Sequence, residues 1–220
     1  MKHLTIFKAS VVAALLVSAS NVMAANPSAT LQVKGTITPA ACTPTFPNDG
    51  LVDYGATSTS QFAATGALRL DDKSIVLDIA CTGPMKMSFT VVDNRKGTSV
   101  PGLTGWPAAA DFGLGKTLDD KPIGAYALRF GNLTLDGNPA QLIESANGGS
   151  TFINTYITSV WPAETTDIAS FADVGQLVPK AFTNASFEVF IDNINLANDM
   201  KTVTEVQNLD GNATLNFDYM

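Results

Sequence analysis

The chain has 220 residues, of which 45% are hydrophobic, 15% charged and 8% aromatic, and its formal charge is −7. So much apolar content excludes a disordered chain. The surplus of acid over base argues against a surface built to neutralise nucleic-acid phosphates or anionic lipid headgroups.

Lys2 and Lys8 precede an apolar run from Ala9 to Val17, and Ser18 to Asn21 then lead into Val22-Met23-Ala24. This is the layout of a secretory signal peptide, residues 1–24, with cleavage expected after Ala24. The run is too short to cross a bilayer, and no other stretch competes, so no membrane span is expected in the mature chain. Cleavage removes two bases and no acid, leaving 196 residues with a charge of −9.

Beyond the leader, helical periodicity gives way to alternation with period two, the mark of an all-β chain. Leu31, Val33, Gly35 and Ile37 share one face of an extended segment whose other face carries Gln32, Lys34, Thr36 and Thr38. Ile75, Leu77 and Ile79 alternate within Ser74 to Ala80, and Met85, Met87, Phe89 and Val91 alternate in the next segment, with a turn expected at Cys81-Thr82-Gly83-Pro84 between them. Gly97 to Pro122, rich in Gly and Pro, reads as a long irregular connection. Strands are then expected at Ala125 to Phe130, Phe152 to Val160, Ser186 to Ile191 and Ala213 to Tyr219. Ala163 to Pro179 reads as a second connection with room for a short helix. Such strands, separated by Gly, Asn and Pro clusters, make a single-domain β-sandwich.

Export sets the expectation for Cys42 and Cys81, the only cysteines. In an oxidising compartment a lone pair 39 residues apart is most simply a disulfide. The only histidine, His3, leaves with the leader, so no Cys or His metal site, no cofactor and no histidine-based nucleophilic catalysis is expected. Paired carboxylates are possible in principle, but Asp71-Asp72 and Asp119-Asp120 are adjacent residues beside Lys73 and Lys121, and adjacent residues on an extended chain face opposite ways. They read as solvated turn acids, and the chain as a non-enzyme. The oxygen-rich run Asp192, Asn193, Asn195, Asn198 and Asp199 lacks the Gly and Glu of a calcium loop. Asn132-Leu133-Thr134, Asn184-Ala185-Ser186 and Asn212-Ala213-Thr214 match a glycosylation pattern but read as strand ends and turns. Trp106 and Trp161, each followed by Pro, read as core-edge residues rather than the floor of a sugar site. At the C-terminus Ala213, Leu215, Phe217 and Tyr219 form an apolar face behind the turn signal Asp210-Gly211-Asn212.

The run Val33-Lys34-Gly35-Thr36-Ile37-Thr38-Pro39-Ala40-Ala41-Cys42 resembles the N-terminal segment of chaperone-usher pilins, and the second cysteine about forty residues on and the penultimate Tyr219 are also pilin-like. The resemblance is closer to a family of exported fimbrial-like proteins of Gram-negative bacteria, domain of unknown function family 1120. Its pattern appears here as Thr38-Pro39-Ala40-Ala41-Cys42-Thr43-Pro44, Val52-Asp53-Tyr54-Gly55, Ile79-Ala80-Cys81-Thr82, Asp93-Asn94-Arg95, Phe112-Gly113-Leu114-Gly115 and Leu209-Asp210-Gly211-Asn212.

This resemblance implies an incomplete immunoglobulin-like β-sandwich over residues 39–220, preceded by a donor-strand extension at 25–38. Leu31, Val33 and Ile37 would be the pocket-filling donor residues, with Gly35 where the groove is too shallow for a side chain. Ala213, Leu215, Phe217 and Tyr219 would be the strand contacted by a chaperone or a neighbouring subunit. The implied partners are a periplasmic chaperone, an outer-membrane usher and other fimbrial subunits. The implied role is a structural subunit of a surface fimbria, reached through the periplasm. The competing expectation is a monomeric periplasmic or secreted β-sandwich binding protein whose N-terminal strand folds into its own sheet.

Overall fold

A computed structural model describes residues 27–154, 161 and 167–220. The expected leader, and Tyr156 and Val160 of the strand expected over 152–160, lie outside these residues. The chain divides into two units between Thr38 and Pro39.

In the first unit, the described residues 27–38 contain no strand, and Leu31, Val33 and Ile37 are 88%, 91% and 101% exposed. Both of the faces expected from the sequence are exposed, and among the described residues no ladder pairs with this segment.

The second unit is all-β. Its strands among the described residues are β1 (Cys42–Thr45), β2 (Leu68–Arg69), β3 (Lys73–Met85), β4 (Met87–Asp93), β5 (Phe112–Gly113), β6 (Gly124–Leu135), β7 (Asn138–Ser145), β8 (Ile153–Asn154), β9 (Ile168–Asp173), β10 (Phe182–Leu196) and β11 (Ala213–Tyr219). Neighbouring strands run antiparallel in the order β1-β3-β10-β6-β7-β9-β4-β11, with β2 on β10, β5 on β6 and β8 on β7. This is one sheet that curls on itself into two layers, with the bend at the β6–β7 hairpin, where only Thr134, Leu135, Asn138 and Pro139 pair. A sheet buried on one face must cover that face, and curling lets its two halves cover each other.

Phe89 of β4 sits at the centre of the core, fully buried, with the rings of Phe130, Phe171, Phe187, Phe217 and Trp161 all within 6.0 Å centroid to centroid. These rings come from both layers, so the hub locks the curl. The expected inward faces are present. Leu77 and Ile79 on β3, and Phe187, Val189 and Ile191 on β10, are buried at alternate positions.

Two expectations are corrected. The turn at Cys81-Thr82-Gly83-Pro84 does not form, because β3 runs straight through it to Met85. The ladder to β10 shifts register between Phe182 and Asn184, and this irregularity accommodates Gly83-Pro84 without a reversal. The chain changes layer at Lys86 instead. The connection expected over Ala163 to Pro179 contains β9, whose Ala169, Ser170, Phe171 and Ala172 are all buried. A strand covered on both faces loses the alternation that would reveal it. The oxygen-rich run after Ile191 is in part a bulge. Asn193 has a φ of 49°, which Asn tolerates, and the inward face moves from Ile191 to Ile194 and Leu196.

Candidate functional site

β1 and β11 end the strand path, so among the described residues each is hydrogen-bonded to a neighbouring strand on one side only. β11 pairs with β4 through Leu215 opposite Val91, Phe217 opposite Phe89 and Tyr219 opposite Met87. Ala213, Leu215 and Phe217 are half-buried against the core, while Thr214, Asn216 and Asp218 face solvent. β1 pairs with β3, with Cys42 directly opposite Cys81, and the two cysteines form a disulfide.

One hydrogen bond links these two edge strands. The Cys42 N–H donates to Tyr219 Oη at 2.8 Å, although the residues are 177 apart in sequence. Between β1 and β11 no ladder forms among the described residues. Past this point both walls continue as extended chain without strand pairing. Residues 51–57 follow β1, and residues 203–209 precede β11. Both line a cavity of about 690 Å³, together with the buried Phe62, Ile123, Leu196 and Met200. Among the described residues no backbone hydrogen bond joins 51–57 to 203–209. The candidate site is thus a cavity lined by the segment that follows β1 and the segment that precedes β11, the two strands with open edges.

On one wall Val52 and Tyr54 pack on the core from the half-buried side. Tyr54 lies under the Lys73 ammonium, 4.6 Å from the ring centre, and Lys73 Nζ also donates to the Asp53 carbonyl at 2.5 Å. The Tyr54 hydroxyl is buried with no hydrogen-bond partner among the described residues. Burial, and secondarily the charges of Asp72, Asp192 and Asp71, push its pKa up to about 12. Among the described residues the only charged side chains lining the cavity are Asp53 and Glu205, both acidic.

The other wall is held by residues remote in sequence. Arg95 Nε donates to Asp210 Oδ2 at 2.8 Å and Arg95 Nη2 donates to Asp210 Oδ1 at 2.7 Å, and Nε also reaches the Asp210 carbonyl at 2.9 Å. The Asp210 hydrogen bond raises the Arg95 pKa further. The Asp210 N–H donates to the Leu114 carbonyl at 3.0 Å. At Gly211 an added Cβ would lie 3.0 Å from the Tyr126 ring and 3.1 Å from Leu114, so the turn must approach without a side chain. Three runs noted in the sequence, Asp93-Asn94-Arg95, Phe112-Gly113-Leu114-Gly115 and Leu209-Asp210-Gly211-Asn212, therefore meet at one junction beside the groove. Val52-Asp53-Tyr54-Gly55 lines its opposite wall.

The other candidate residues are committed elsewhere. Asp72 pairs with Arg69 at 2.7 Å and accepts from the Asn193 N–H at 2.8 Å. Asp192 pairs with Arg129 at 2.7 Å, and Asn195 donates to the Leu103 carbonyl. Asp120 pairs with Lys116. Among the described residues no three His, Cys, Asp or Glu gather as metal ligands. Asn132 reaches Glu188 from a strand bulge, and Asn212 accepts from Asn94. Trp161 is buried against Phe89 and Phe130 while Trp106 is exposed, so the two indoles form no common platform. The walls at 51–57 and 203–209 escape pattern reading because neither alternates strongly.

Comparison with known proteins gives three similarities. Residues 31–105 match a family model described as protein of unknown function (DUF1120). The whole chain aligns with Protein GltF of Escherichia coli (strain K12), 29% identical and covering 98% of that protein. It is also similar to the uncharacterized protein YhcF of the same strain, 25% identical over 86% of this chain and 90% of the other. No helix among the described residues is long and apolar enough to cross a membrane.

Proposed function

We propose that the chain is a non-catalytic structural subunit of a surface fimbria, exported to the periplasm and assembled by donor-strand exchange through a periplasmic chaperone and an outer-membrane usher. One observation carries the reading: the same chain combines two open strand edges, with a cavity lined by the segments next to them, and an N-terminal segment whose alternating apolar side chains are exposed.

A sheet edge with an apolar floor beside it is a template for another strand, and unfilled it favours aggregation. The segment Pro27 to Thr38 has the complementary properties. Ten extended residues from Ala29 span about 33 Å. Its only charge is Lys34, on the face opposite Leu31, Val33 and Ile37, whereas the charges on the cavity wall are those of Asp53 and Glu205. Inserted in a neighbouring copy, Leu31, Val33 and Ile37 would each gain about 1.5–3 kcal/mol on burial before the backbone ladder is counted. Gly35 would then take the position where a donor groove is too shallow for a side chain. The chaperone fills the same groove before the next subunit does.

The test is capture. Phe217→Ser with Tyr219→Ser removes apolar contact from the β11 edge, and co-expression with a periplasmic chaperone should then give no complex and low periplasmic abundance as the open form is degraded. Unchanged abundance with a stable monomer refutes the reading. A monomeric periplasmic or secreted binding protein is favoured by one feature, a cavity within the size range of small-ligand sites. It requires the purified chain to run as a monomer at every concentration.

A further inference from the structure

The connection from Gly97 to Pro122 has no counterpart in the argument for strand uptake, yet it is tightly built. Asp93, buried at the end of β4, accepts from the Arg95 N–H at 2.8 Å with one carboxylate oxygen and from the Gly113 N–H at 3.0 Å with the other. Thr98 donates to the Arg95 carbonyl through both its N–H, at 3.0 Å, and its hydroxyl, at 2.7 Å. A Cβ at Gly113 would fall 2.1 Å from Thr98 Oγ1 and 2.6 Å from the Arg95 carbonyl oxygen, so the loop closes only because that position is glycine. The result is a rigid mount for Arg95.

What Arg95 holds is the end of the 203–209 wall, whose Val203 and Leu209 pack on the core. Between β10 and β11 the chain is also anchored by polar contacts on either side of this wall. At the far end Met200 is buried, and Lys201 Nζ donates to the Ala63 and Ala64 carbonyls at 2.9 and 3.0 Å. At the near end Arg95 grips Asp210 with a two-pronged bond, while Asn94 donates through its N–H to the Asn212 carbonyl at 2.9 Å and through Nδ2 to Thr214 Oγ1 at 2.7 Å. Val203 to Leu209 spans the gap between these anchors.

We infer that the Arg95–Asp210 clasp, mounted on the Gly97–Pro122 connection, positions the 203–209 wall of the groove for strand uptake, Arg95 being a positioning residue. The inference rests on the strand-accepting reading. The exposure of the pair separates it from plain structural glue. The Arg95 and Asp210 side chains are 35% and 59% exposed, and ion pairs that wet contribute little to global stability. Their geometry is nevertheless bidentate, so the clasp restricts position more than it adds stability.

The experiment uses the mature full chain as wild type, Arg95→Ala, Asp210→Ala and the exchanged double variant Arg95→Asp with Asp210→Arg. The probe is a labelled synthetic peptide of residues 27–38. Three quantities are read: peptide dissociation rate, the rate of cleavage after Glu205 by a glutamate-specific protease, and the melting temperature. Either single substitution should speed peptide dissociation and Glu205 cleavage about tenfold with a melting shift of no more than a few degrees, and the exchanged pair should recover part of both rates. Wild-type dissociation in the single variants, with or without a lowered melting temperature, overturns the clasp while leaving the groove reading intact. If the wild type itself takes up no peptide, the groove reading falls and the clasp inference falls with it.

Discussion

Removing residues 25–38 separates a donor segment from an internal strand. Leu31, Val33 and Ile37 are at least 88% exposed, so their removal takes away almost no buried area. The melting temperature of the truncated monomer should stay within about two degrees of the parent. An internal strand would behave otherwise. Three aliphatic side chains at about 1.5–3 kcal/mol each sum to about 5–9 kcal/mol, which rivals the whole stability of a typical domain. The assay pairs thermal melting with two yields, complex with co-expressed chaperone and polymer of the purified subunit. Chaperone complex should persist and polymer should vanish. Parallel loss of both yields, or a melting temperature lowered by tens of degrees, refutes the argument from exposure.

Gly35→Leu has open space around it in the subunit, with no atom within 4 Å of an added Cβ, so melting should be unchanged while polymer formation slows or stops. Reducing the Cys42–Cys81 disulfide releases a 39-residue separation and should cost about 4 kcal/mol on the chain-entropy account, read from urea denaturation with and without reductant. If both cysteines label without reductant, that bond is not present in solution. Tyr54→Phe removes a buried hydroxyl with no partner among the described residues and should raise stability by about 1 kcal/mol in the same assay. Because the native Tyr54 pKa is raised from 10.0 to about 12, the folded state holds its proton more tightly than the unfolded state. Stability therefore falls as pH rises from about 10 towards 12, and Tyr54→Phe should flatten that decline, the remainder coming from Tyr126, whose pKa burial also raises.

Local chemistry determines much of this protein. Alternation is a property of a few consecutive residues, so the inward faces of β3, β10 and β11 are legible from Leu77, Phe187 or Phe217 and their neighbours two apart. The pairing of the two cysteines is legible for a similar reason, since neither thiol has another partner to choose. Where local signals mislead, the cause is context. Gly83-Pro84 carries turn chemistry but lies in β3, where a register shift absorbs it, and β9 is hidden because its Ala and Ser positions are as buried as Phe171. The groove belongs wholly to the tertiary level. Its walls come from 51–57 and 203–209, and the clasp beside it joins Arg95 to Asp210 across 115 residues. No pattern along the chain encodes such distances, because they depend on how far an antiparallel sheet curls around the Phe89 core before its first and last strands meet.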